Sequence, residues 1–371
     1  MRFKILIILF IFILISCKTE IAKELPIDIA AQAQKRVDDG YHLGTIIGIV
    51  DKNGTYYYGF GQTSLQNKNK PDQNSIFEIG SITKTFTATL LADLNLKEEI
   101  NIKSPVEDYL PVLKNIYTDS IQTITLETLS THTSGLPREP LNMDPNDDNR
   151  YRDYTTKNLN EFLKDYKLDS ISGEFRYSNL GVLIIEQAIE NRINQSYEKL
   201  VAERIIDHLN MNDTYFKVPS ENRSRIVKGF RDNKETEELD LGQYQSMGGL
   251  RSTAKDMLEY LKAEIGLKST DLDEAIHETQ KIHFQDDKNI MGLGWEILKR
   301  EESGKTIYYH QGGTPGFVSF AGFNLKDQIG VVVLVNGRQW FSDLGFKILD
   351  SSYPLSEPEK DQITVANIAE C

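Results

Sequence analysis

Short apolar and β-branched runs gather at the two ends of the chain, and helix-like recurrences fill the stretch between them. Gly44–Val50 and Thr55–Phe60 read as strands joined by Asp51-Lys52-Asn53-Gly54, and Asn-Gly is a strong hairpin signal. Thr306–His310, Val318–Phe323 and Gly330–Asn336 repeat the strand pattern near the far end, with the turn-like Gly312-Gly313-Thr314-Pro315-Gly316 before the second. In the middle, Ile82, Phe86, Leu90 and Leu94 recur every four residues, the mark of a helix buried on one face. Ile27–Val37, Asn179–Arg192, Ser196–Leu209, Ser252–Ile265 and Trp340–Leu349 read as further helices, and Arg138–Asp153 is the longest loop candidate. This order predicts an α/β (α+β) fold: an antiparallel sheet built from both chain ends, flanked by helices, with an inserted, mainly helical lobe. The α/β lobe is expected over residues 27–80 and 246–350, the helical lobe over 81–245, and a polar tail over 351–371. A cleft between two lobes is a natural place for a site.

The first residues differ in kind. Arg2 and Lys4 precede eleven unbroken apolar residues, Ile5 to Ile15. That run is too short for a typical membrane span and suits a signal-peptide core. It ends Leu14-Ile15-Ser16-Cys17, which resembles a bacterial lipobox. Residues 1–16 are therefore expected to be a lipoprotein signal peptide, Cys17 the lipidated residue, and 17–26 a tether. That makes an exported cell-envelope lipoprotein, on the periplasmic face or outer membrane of a bacterium. Lipid on Cys17 would leave Cys371, the one other cysteine, without an intrachain partner.

Charge narrows the function. The formal net charge is −13, and no dense Lys/Arg block occurs. This argues against nucleic acid and against electrostatic attachment to an anionic membrane surface. The histidines show no zinc-ligand spacing, and no His-Glu-x-x-His exists. No serine has glycine at both −2 and +2, so the α/β-hydrolase elbow is absent. Gly304-Lys305-Thr306 resembles the end of a P-loop, but position 299 is lysine. No metal and no cofactor are expected, and the protein is expected to be a monomer acting on a small-molecule or peptide substrate.

Ser81-Ile82-Thr83-Lys84 points to chemistry. Three residues apart on a helix, hydroxyl and amine share one face. A serine hydroxyl needs a proton acceptor before it attacks, and an amine can serve. Ser-x-x-Lys also occurs at Ser196/Lys199 and Ser252/Lys255, where each serine is expected to cap a helix. Tyr177-Ser178-Asn179, the one Tyr-x-Asn in the chain, offers a phenol for proton relay and an amide for a substrate carbonyl. His310-Gln311-Gly312-Gly313 closes a strand with glycines that let a substrate approach the backbone. His132 and Ser134 are expected to shape a turn before Pro137.

Taken in order, Ser81/Lys84, Tyr177/Asn179 and His310/Gly312 resemble the serine β-lactamase and penicillin-binding-protein superfamily, most closely its class C β-lactamase-like branch. Phe77-Glu78-Ile79-Gly80, Leu129 through Pro137, Gly248-Gly249-Leu250, Gly292 through Trp295 and His310 through Phe317 extend the likeness across about residues 27–350. The resemblance implies a serine hydrolase forming an acyl-enzyme on Ser81, with Lys84 as base and Tyr177 as proton carrier. Asn179, His310, Gly312 and Gly313 would bind substrate, with the N–H groups of Ser81 and Gly313 as oxyanion hole. The cleaved bond would be an amide or ester, in a D-amino-acid peptide, a β-lactam or an ester.

The third motif departs from the family's frequent Lys-Thr-Gly. Histidine is mostly uncharged at neutral pH, so attraction for a substrate carboxylate should weaken. This disfavours strong β-lactamase activity against peptidase, amidase or esterase activity. The alternative reading is a non-catalytic penicillin-recognising or surface-binding lipoprotein on the same fold.

Overall fold

The computed structural model describes residues 24–116, 123–144, 146–168, 173–337, 339 and 342–357. The expected signal peptide, Cys17 and Cys371 lie outside the described residues. In chain order the elements begin with α1 (Ile27–Asp38), β1 (Gly44–Asp51), β2 (Gly54–Gly61), β3 (Ile76–Glu78) and α2 (Thr83–Leu96). Then come α3 (Leu126–Ser130), α4 (Thr156–Asp165), α5 (Asn179–Ile193) and α6 (Tyr197–Val201). The short strands β4 (Phe230–Arg231), β5 (Lys234–Glu235) and β6 (Arg251–Thr253) follow, then α7 (Ala254–Glu264) and α8 (Asp273–Gln280). The chain closes with β7 (Phe284–Gln285), β8 (Ile290–Met291), β9 (Glu296–Arg300), β10 (Lys305–Gly313), β11 (Val318–Asn324), β12 (Ile329–Asn336) and α9 (Asp343–Leu349).

Eight strands form one antiparallel sheet in the order β2-β1-β12-β11-β10-β9-β8-β7. The predicted hairpin forms, with Asp51 facing Gly54 across a two-residue turn. The first and last long strands pair directly, Gly44 against Asn336 through Val50 against Gly330. The strands are apolar on both faces because both faces are covered. Ile47, Ile49, Val331, Val333, Val335, Val318 and Phe320 point to the α1/α9 side. Ile46, Val50, Val332, Leu334, Ala321 and Phe323 point into the larger core, with α7 and α2. On the outer side α1 and α9 are tied by a buried two-pronged pair, Arg36 Nη1 and Nη2 donating to Asp343 at 2.9 and 2.6 Å.

Three local readings are corrected. Ser252 does not cap a helix: it lies in β6, paired with Phe77, and Thr253 caps α7 by accepting from Asp256 N. The Ser252 hydroxyl instead shares a buried 2.8 Å hydrogen bond with Thr214. The helix expected over Ser196–Leu209 narrows to α6 and a wider turn over Ala202–Ile206, and Ser196 precedes it without a side-chain cap bond. The strand ending in His310 runs on through Gly313, because Gln311, Gly312 and Gly313 pair with Phe320, Ser319 and Val318.

Candidate active site

Gly80 puts Ser81 in place. Its φ is +51°, and a Cβ there would lie 2.8 Å from Gly313 N. Gly312 is equally constrained, since a Cβ would lie 2.0 Å from the Ile79 carbonyl oxygen. The two glycines let the turn before α2 dock backbone-to-backbone on the end of β10. Ser319 Oγ donates to the Ile79 carbonyl at 2.8 Å and fixes the contact. Thr83 Oγ1 donates to the Gly80 carbonyl at 2.7 Å and accepts from Leu250 N at 3.2 Å.

Lys84 lies one helical turn on, 3% exposed, with Nζ 3.0 Å from Ser81 Oγ. It donates to the Met247 carbonyl at 2.6 Å. The loop carrying that carbonyl is held by Glu186, whose carboxyl accepts from Gln245 N and Ser246 N. Burial pushes the Lys84 amine well below the ordinary lysine range, and the positive charge of Arg138 adds to the effect. The shift makes this amine a weaker proton binder than an exposed lysine.

Tyr177 and Asn179 enter on the segment that leads into α5. Ser178 caps that helix, its Oγ accepting from Gly181 N at 2.9 Å and donating to the Pro137 carbonyl at 2.7 Å. His132 clamps the segment. Its backbone is left-handed, with φ +60°. Its carbonyl accepts from Arg176 N at 2.7 Å, its Nδ1 accepts from Ser178 N at 3.2 Å, and its ring lies 4.3 Å from the Tyr177 ring. Tyr177 is also flanked by the Lys84 amine, with Nζ 5.1 Å from its ring centre, and by the Arg138 guanidinium, with Cζ at 4.9 Å. Burial raises the Tyr177 phenol above its ordinary range, so it stays protonated. Asn179 Nδ2 donates to Glu139 Oε1 at 2.7 Å, and Tyr151 OH donates to Glu139 Oε2.

His310 is buried on β10, 6.4 Å ring to ring from Tyr177. Its Nδ1 donates to the Gln311 carbonyl at 2.7 Å, leaving Nε2 as an acceptor. Burial is the main cause that pushes it down to about 3. It is a neutral imidazole throughout the working range.

The Beta-lactamase family model matches residues 29–347. The chain belongs to the Beta-lactamase family. Its relatives in that family include a β-lactamase of Providencia stuartii, 26% identical over 333 residues that cover 79% of this chain and 82% of the relative. The D-alanyl-D-alanine-carboxypeptidase/endopeptidase AmpH of Escherichia coli K12 is 26% identical over 314 residues, 79% of each chain. Among solved structures, the class C β-lactamase of Rhodobacter sphaeroides superposes with a TM-score of 0.74 at 22% identity, covering 84% of this chain and 94% of that one. A β-lactamase/D-alanine carboxypeptidase from Pseudomonas syringae gives 0.76 at 21% identity, covering 88% and 98%.

This Beta-lactamase-family chain is a serine hydrolase, not a non-catalytic binder on the same fold. Ser81, Lys84, Tyr177, Asn179, His310, Gly312 and Gly313 converge at one place. The other two Ser-x-x-Lys matches lie elsewhere, in β6 and before α6. Sequence reasoning missed Arg138, Glu139, His132 as a clamp, and the Met247 carbonyl. At the two ends of the Arg138–Asp153 loop candidate, Arg138 and Glu139 reach Tyr177 and Asn179, and Tyr151 bonds Glu139. The Met247 contact is made by backbone, so no side-chain type announced it.

Proposed function

We propose that the protein cleaves an amide or ester bond through an acyl-enzyme on Ser81. The observation that carries this reading is the 3.0 Å approach of Lys84 Nζ to Ser81 Oγ, beside a lysine whose charged form burial disfavours. Neutral Lys84 takes the hydroxyl proton as Oγ bonds to the substrate carbonyl carbon. The oxyanion lies against the N–H groups of Ser81 and Gly313, at the start of α2, where the helix dipole favours negative charge. Tyr177 donates its proton to the leaving nitrogen or oxygen as that bond breaks, and is reprotonated from Lys84. Water then enters by the same proton route in reverse and releases the acid. The lowered proton affinity of Lys84 and the raised affinity of Tyr177 support the base role for the amine and the relay role for the phenol.

His310 directs the choice of substrate. A neutral imidazole gives a carboxylate no steady charge. This supports peptidase, amidase or esterase activity over strong β-lactam hydrolysis. Residues 27–80 and 246–350 then form the α/β lobe and 81–245 the helical lobe. Export and lipidation at Cys17 belong to the same reading. They rest on the apolar run and Ser16-Cys17. Metabolic labelling with an alkyne fatty acid should mark the wild type and not Cys17→Ala.

Intact-mass spectrometry after a fluorophosphonate tests the centre of the proposal. One adduct is expected on wild-type protein and none on Ser81→Ala. Folded wild-type protein that stays unmodified by both a fluorophosphonate and a penicillin would overturn it.

A further inference from the structure

Arg138 and Glu139 are neighbours of opposite charge that attend different residues of the site. Arg138 lies over the Tyr177 ring, on the proton-relay side. Glu139 holds the Asn179 amide, on the substrate-holding side. The following Pro140 restricts the Glu139 backbone to extended conformations and fixes where its side chain starts. Both Glu139 oxygens accept hydrogen bonds, from Asn179 Nδ2 and Tyr151 OH, which is the pattern of a carboxylate rather than an acid. Both of these donors are neutral. A carboxylate has about four acceptor positions, so two remain.

The bond to Glu139 also orients Asn179. Its nitrogen faces the carboxylate, and its Oδ1 is buried without a donor. The side of the cleft that receives the acyl group therefore offers acceptors and negative charge. The same loop continues into a cavity of about 550 Å³, lined among others by Asp147, Asp148, Arg152, Arg231 and Pro315, where five carboxylates face three cationic side chains.

We infer that Glu139 is a specificity-determining residue that selects acyl donors carrying a free ammonium group beside the scissile carbonyl. The substrate class is an aminoacyl amide or ester, and N-acylated counterparts are disfavoured. This rests on the Ser81 acyl-enzyme reading and narrows it. An ammonium there would donate to the open positions of Glu139. An acylated nitrogen would bring no charge, and its carbonyl would compete with Glu139 for the Asn179 N–H groups.

The test compares alanine p-nitroanilides of both hands, with the amine free or acetylated, on wild type, Glu139→Gln and Glu139→Asp. Wild type should favour the free amine by at least about tenfold in kcat/KM, the scale of one charge-assisted hydrogen bond. Glu139→Gln should erase that preference, mainly through KM, by costing the free-amine substrates about tenfold more than the acetylated ones. Glu139→Asp, which keeps the charge, should retain part of the preference. Should turnover be slow, protection of Ser81 from the fluorophosphonate by alaninamide against N-acetylalaninamide gives the same comparison. A wild-type preference for acetylated compounds, equal losses on both kinds of substrate, or equal or absent protection would each overturn the inference. A fluorophosphonate adduct on both variants shows that the nucleophile works, so its absence from wild type indicts the Ser81 reading instead.

Discussion

The cleft has two walls, built by different means. One carries Ser81, Lys84 and the end of β10, and its position is set mainly by backbone meeting backbone, Gly80 on Gly313 and Gly312 on Ile79, with the Ser319 hydroxyl fixing the contact. The other carries Tyr177, Asn179, Arg138 and Glu139, and its position is set by side chains: the His132 ring and Nδ1, the Ser178 cap and the Glu139 carboxylate. Backbone contact leaves no room for substitution. Side-chain contact can be exchanged one residue at a time. The proposed nucleophile and base therefore sit on the backbone-docked wall together with His310, and the proposed selection by Glu139 sits on the wall that side chains hold.

Lys84→Met should give the largest effect. Turnover should fall on the order of 10⁶, as when the nucleophile or its base is removed from a serine hydrolase. The fold should gain stability at pH 7. Burial lowers the proton affinity of Lys84 in the folded chain, while the unfolded chain binds its proton up to the ordinary 10.5. Wild-type stability therefore rises with pH between the lowered value and 10.5, and the methionine variant lacks that slope. Thermal melts from pH 7 to 10 should show the variant ahead and the gap closing.

Gly312→Ala tests the unvarying wall without touching a catalytic group. The added carbon must push Ile79 and with it Ser81, and about a hundredfold loss in kcat/KM is expected from such a displacement. A loss of less than threefold would mean that the backbone contact does not set the nucleophile. On the other wall, His132→Phe keeps a ring against Tyr177 but strands Ser178 N. It should cost about 1–3 kcal/mol of stability by urea unfolding and about tenfold in kcat. Acid sharpens the contrast more mildly. His310 titrates at about 3 in the fold against 6.5 when free, so protonation favours the unfolded chain below pH 6.5 and the penalty is complete near pH 3. His42, buried and shifted to about 3 as well, acts over the same window. His310→Gln should therefore remove part, not all, of the stability lost between pH 6.5 and 3.

The same division governs what the sequence could tell. The long strands were legible because runs such as Val331-Val332-Val333 are apolar on both faces and have no other use. The nucleophilic wall was legible because its geometry needs particular residue types at fixed spacing along one helix and one strand. The two-residue strands β4, β5, β7 and β8 were not, since they hold their shape by pairing and carry no period. Ser252 misled because a hydroxyl before a helix reads as a cap, whereas burial gave it Thr214 instead. Glu139 stayed hidden because its partners, Asn179 and Tyr151, lie 40 and 12 residues away, and no spacing rule links them.

The pairing of β1 with β12 has a consequence for how the protein comes into being. Gly44 pairs with Asn336 inside the sheet, so β1 and β2 are synthesised long before their neighbour β12. Until then the inner edge of β1, with Ile46, Ile47 and Ile49, is an unpaired apolar template. Closing so long a loop is slow, and the waiting hairpin is open to association with other chains. A chain cut short anywhere before Ile329 would keep that edge open for good, and aggregation, rather than a smaller active fragment, is its expected fate.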